Sequence, residues 1–127
     1  MTAGGTRQIA DLAEDMQCRR HVPHDRAATK SSLDLVERVL EAASSILAAS
    51  RRLAEIANPN LVSDVGVAAE LALGAARAAR INIEVNLSGY DDAADAAAVR
   101  TRARAALADA ERLADETRAV VMNKLKR

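Results

Sequence analysis

The chain has 127 residues, with 18 basic and 18 acidic side chains and no formal net charge. That length suits one domain, spanning residues 1–127, better than two independent cores. Half the residues are hydrophobic and Tyr90 is the only aromatic, which excludes compositional disorder, a β-sandwich and a nucleic-acid module built on stacked rings, while neutrality argues against a basic phosphate-binding groove.

Met1 to Thr6 is small and polar and is expected to be frayed. Arg7 to Arg20 carries a weak helical pattern, with Ile9, Leu12, Ala13 and Met16 on one face. The segment His21-Val22-Pro23-His24 ends it, because proline disfavours helix in the residue before it. Asp25 can then cap a second, long helix whose stripe is Leu33, Val36, Leu40, Ala43 and Leu47, widened by Ile46, Leu53 and Ile56. It stops at Asn58-Pro59-Asn60, a turn sequence.

A third helix is predicted from Ser63, with Asp64 in its first turn at the positive end of the helix dipole. Its stripe is Val65, Ala69, Ala72, Ala76, Ala79 and Ile83. Ile81, Ile83, Val85 and Leu87 alternate like a strand, but there is no second β-run for them to pair with. Gly89 suits a left-handed helix end. A fourth helix runs from about Asp92 to the end, with Val99, Ala106, Ala110, Leu113, Val120 and Val121 inward. Short connections imply an all-α, antiparallel bundle of about four helices. Alanine buries little apolar surface, so a second copy is expected to complete the core as a homodimer.

Few residues outside the third helix point to chemistry. His21 and His24 share no helical face because Pro23 lies between them, so they read as solvated loop residues rather than metal ligands. Cys18 is the sole cysteine, which excludes an internal disulfide or a cysteine-rich zinc site; with no apolar leader, it fits a cytoplasmic protein. No apolar run approaches the ~18 residues of a membrane span. Arg100, Arg102 and Arg104 spread around a helix and read as a solvated face. No metal, nucleic-acid or membrane site is predicted.

The third helix is different. Asn82 and Asn86 are one turn apart, and Asp64 precedes Asn82 by five whole turns, so all three fall on one side of the helix. A buried asparagine needs hydrogen-bond partners or a ligand, and helix capping explains Ser63 and Asp64 but not Asn82.

Three segments carry a resemblance: Asn58-Pro59-Asn60, then Val62-Ser63-Asp64-Val65-Gly66-Val67-Ala68-Ala69, then Ala79-Arg80-Ile81-Asn82-Ile83-Glu84-Val85-Asn86-Leu87. In order and spacing they resemble the signature of the cyclodeaminase/cyclohydrolase family, which includes the C-terminal domain of formiminotransferase-cyclodeaminase and methenyltetrahydrofolate cyclohydrolases. Arg19-Arg20 through Pro23 resembles the family's Arg-Leu-Pro segment more loosely. The family's Gly-Gly-Gly-Ser turn and two Ala/Gly-rich helices have no counterpart beyond Ala3-Gly4-Gly5-Thr6, so the domain reads as a shortened one.

The resemblance implies a folate one-carbon enzyme that deaminates formiminotetrahydrofolate or hydrolyses methenyltetrahydrofolate, with the folate as substrate and no prosthetic group. It makes Asp64 the catalytic carboxylate and Ser63, Asn82, Asn86 and Arg80 substrate-binding positions. The amides would meet the pterin edge, and Arg80 or Arg77 the glutamate tail. Two alternatives stand beside it: a non-catalytic helical subunit that mediates dimerisation, and a relative acting on a non-folate substrate. A second chain supplying the missing helices is a further expected partner. On one helix Asp64 and Asn82 are ~27 Å apart. Two copies of the helix crossing antiparallel near Leu73 would bring Asp64 of one to Asn82 of the other.

Overall fold

The computed structural model describes residues 26–126. Three helices make up this part: α1 (Arg26–Ile56), α2 (Val62–Leu87) and α3 (Ala93–Leu125). Of the about four helices expected, the described residues hold three. The predicted first helix, the break at His21 to His24, the cap at Asp25 and the frayed start all lie outside them. No described residue is in a strand, and Ile81 to Leu87 continues α2 as a helix.

Each connection has a local cause. After α1 the Asn58 side-chain oxygen accepts from the backbone N–H groups of Asn60 (2.9 Å) and Leu61 (3.2 Å), closing the turn that launches α2. After α2 the Ser88 N–H donates to the Glu84 carbonyl and Gly89 takes φ 90°, a left-handed conformation that glycine adopts without strain. Asp92 then caps α3, its carboxylate accepting from the Asp95 N–H at 2.9 Å. At the far end of the molecule the Lys124 ammonium donates to the Ala57 carbonyl at 2.9 Å, satisfying the orphan end of α1.

Cross-helix ion pairs reveal the topology. Lys30–Asp95, Glu37–Arg102 and Arg51–Glu116 advance together along both helices, so α1 and α3 are parallel. Glu70–Arg118, Arg77–Glu111 and Glu84–Arg100 run in opposite senses, so α2 is antiparallel to α3. The result is an up-down-up bundle in which each helix packs on the other two. The core is a column of Leu33, Leu40, Leu47, Ile83 and Val99 set among alanines such as Ala76 and Ala110, whose small side chains let the helices approach closely. A smaller cluster of Ala54, Val62 and Val121 closes the other end.

The predicted inward stripes of α2 and α3 point inward, with Val65, Ala106, Leu113 and Val120 half-buried at their edges. On α1 one expectation is corrected. Ile46, Leu53 and Ile56 do not widen the buried stripe; they are exposed. They belong to a second apolar row, Leu35, Val39, Ala42, Ile46, Ala49, Leu53 and Ile56, that recurs at four- and three-residue steps on another side of the helix.

Candidate functional site

The site residues predicted from sequence all lie on α2. Ser63 and Asp64 stand in its first turn, one and two residues after the helix start at Val62, and both are exposed. The N-cap position is Leu61 and no side chain caps it. Asn58 anchors the preceding turn instead. Capping is therefore not what Ser63 and Asp64 do. The Asp64 carboxylate has no hydrogen-bond or ion-pair partner among the described residues.

Near the other end, Asn82 is exposed and Asn86 is half-buried. The premise that both are buried polar groups is corrected: the outer side of α2 faces solvent at Asn82. The Asn86 side-chain amide donates to the Asn82 backbone carbonyl at 3.0 Å, which fixes its orientation and leaves its oxygen as an acceptor. Asp64, Ala68, Leu71, Ala75, Ala78 and Asn82 share one exposed side, as their spacing predicts. The two polar ends of this side are ~27 Å apart along the axis. Leu73 points the other way and is 2% exposed in its own core.

Arg80 is not brought to the asparagines. Two residues before Asn82 on a helix, it lies ~200° around the axis. Its guanidinium is ion-paired with Glu84, which also accepts from Arg100 Nε at 3.1 Å. The Arg100 and Arg80 guanidinium groups together hold the Glu84 carboxyl below the usual carboxylate range. Arg77 is likewise paired across the helices with Glu111 at 3.3 Å.

One feature escaped the sequence reading. Between the first half of α2 and the end of α3 lies an open apolar groove of about 490 Å³, lined by Gly66, Val67, Leu71, Val121, Met122 and Leu125, with Ser63 at its edge. The Glu70–Arg118 ion pair borders it. Gly66 was the available signal. A Cβ there would come within 3.1 Å of Val121 Cγ1, so glycine is what lets α3 approach this turn of α2.

No described helix is long and apolar enough to cross a membrane. The sequence profile of the formiminotransferase-cyclodeaminase family matches residues 10–105, which take in all of α2 and both polar ends of its outer side. No curated protein and no solved structure matches the chain.

Proposed function

Because the chain belongs to the formiminotransferase-cyclodeaminase family, we propose that it acts on a one-carbon unit carried between N5 and N10 of tetrahydrofolate. The supporting observation is the outer side of α2, where Asp64 and Asn82 are exposed and available to a ligand while the inward side of the helix is committed to the core. Deamination closes the ring of the formimino derivative and releases ammonia; hydrolysis adds water to the methenyl carbon and opens the ring. Both pass through a tetrahedral carbon between two nitrogens and involve an amidinium-like cation. The Asp64 carboxylate, free of internal partners, stabilises that cation electrostatically. The amides of Asn82 and Asn86 offer donors and acceptors to the pterin edge, and Ser63 adds a hydroxyl beside Asp64. Arg80, turned toward α3 by Glu84, can meet only a glutamate tail that wraps around the helix.

No small ligand spans ~27 Å, so the carboxylate and the amides must come from two copies of the chain, each pair of copies forming two sites. Titration of the full chain with 5-formyltetrahydrofolate, a stable analogue, tests the folate reading. Saturable heat at micromolar to millimolar ligand, lost in Asp64→Ala and in Asn82→Ala, is the expected result. Mixing those two variants should restore about a quarter of the wild-type sites if random exchange gives half mixed dimers with one intact site each. Silence at millimolar ligand would favour the non-catalytic subunit, a reading that the apolar residues between the two polar ends also support.

A further inference from the structure

We infer that the exposed apolar row of α1 docks residues 9–16 of the same chain, laid antiparallel along the first half of the helix. The row has no partner in the bundle: Leu35 is 61%, Val39 44% and Ile46 49% exposed, with Ala42 exposed between them. Its alternating four- and three-residue steps run along α1 from position 35 to position 56, the period of a seam that packs a further helix. The inference goes beyond the folate reading and does not depend on it.

Spacing and charge choose the occupant. Ile9, Leu12 and Met16 are three and then four residues apart. Taken in the opposite direction, Ala42, Val39 and Leu35 are also three and then four apart. An antiparallel pairing therefore sets Ile9 against Ala42, Leu12 against Val39 and Met16 against Leu35 in a single register. Beside this seam Ala13 falls next to Val36, which is half-buried. Asp15 falls next to Arg38, an exposed cation with no partner among the described residues.

The tether allows this register and forbids the main alternative. Residues 1–25 lead directly into Arg26, the first residue of α1. With Ile9 level with Ala42, Arg20 stands level with Ser31, ~7.5 Å along the axis from Arg26 and ~9 Å across. Residues 21–25 then have ~12 Å to cover and can span up to ~20 Å. Pro23 in that link keeps it from continuing either helix. The apolar groove between α2 and α3 is out of reach. Arg118 lines it and the nearby Glu116 pairs with Arg51, so the groove lies level with Arg51, ~37 Å along α1 from Arg26. A second copy or a foreign helix competes at a disadvantage, because so short a link holds the segment at an effective concentration in the millimolar range. Ile46, Leu53 and Ile56 lie beyond the segment, and the outer side of α2 stays open to a ligand.

Disulfide trapping in the full chain, on a Cys18→Ser background, tests the pairing. Met16→Cys/Leu35→Cys should oxidise within one chain, read as loss of both free thiols in a species that stays a monomer on a non-reducing gel. Met16→Cys/Ile46→Cys, ~16 Å further along α1, should keep its thiols under the same mild oxidant, and so should Met16→Cys/Met122→Cys in the groove. Thermal melting gives a second reading that needs no oxidation. Leu12→Asp and Val39→Asp should each lower the melting temperature by about 5 °C, and the double variant should fall no further than the worse single one. Additive losses, a Val39→Asp variant that melts with wild type, a covalent dimer from Met16→Cys/Leu35→Cys, thiols that persist in that pair, or closure of either control pair would each overturn the inference.

Discussion

Two glycines on one helix serve different ends. At Gly66 an added side chain would meet Val121 in the α2–α3 contact, while at Gly74 it would meet open space. Gly66→Leu should therefore pry the two helices apart and cost about 1–3 kcal/mol of stability, the usual penalty for overfilling a packed site. Gly74→Ala should instead stabilise the isolated fold by about 0.5–1 kcal/mol, because alanine loses less backbone freedom in a helix. Urea melts of the two variants, run in a Leu71→Glu background to remove any effect of association, check both signs. Asp64 and Asn82 were legible from sequence as sharing one side, since eighteen residues make five whole turns. Their exposure was not legible. Spacing places residues relative to one another on a helix, and only the packing of α1 and α3 decides which side they leave open.

The same limit operates on whole elements. α1 carries two apolar rows at interleaved spacing, Leu33, Val36, Leu40, Ala43 and Leu47 on one side and Leu35, Val39, Ile46 and Leu53 on another. Both rows satisfy the helical period, so hydrophobicity cannot rank them, and the sequence reading merged part of the second into the first. The bundle ranks them: Leu40 is 3% exposed and Ile46 is 49% exposed. Leu40→Asp should consequently unfold the chain or cost more than about 3 kcal/mol, because it places an uncompensated carboxylate among apolar neighbours. Ile46→Asp should stay within about 0.5 kcal/mol of wild type, as surface changes usually do. Thermal melts followed by circular dichroism distinguish the two, and equal losses would put the wrong row inside. On α3 the row was easier to read, because few large side chains compete with the alanines there.

At the scale of the molecule, α3 is held to both neighbours by charge as well as by packing. The clasp at the α2–α3 turn is the clearest case: Asp95 accepts from the Tyr90 hydroxyl at 2.7 Å and from the Lys30 ammonium at 3.3 Å, tying the turn, α3 and the start of α1 together. The Tyr90 hydrogen bond, then the Lys30 one, holds the Asp95 carboxyl below the usual carboxylate range. Glu84 is depressed likewise by Arg100 and Arg80, where α2 meets α3. A carboxylate whose pKa is lowered by folding stabilises the fold fully above its unfolded value, about 4, and loses that contribution as pH falls through the lower folded value. The melting temperature should therefore be flat from neutral pH to about pH 5 and should fall progressively below pH 4. Asp95→Asn should melt lower than wild type at pH 7 and show a shallower fall in acid, because the group that titrates is gone. Tyr90→Phe should reproduce part of both changes, since it removes the largest of the interactions that depress Asp95 while leaving Lys30 in place. Moderate salt should weaken the exposed Arg102–Glu37 and Arg118–Glu70 pairs but leave the Tyr90–Asp95 hydrogen bond in place, so the acid profile of wild type should persist at 0.5 M salt. A profile that flattens completely in salt would assign the acid sensitivity to the surface ion pairs and not to the clasp.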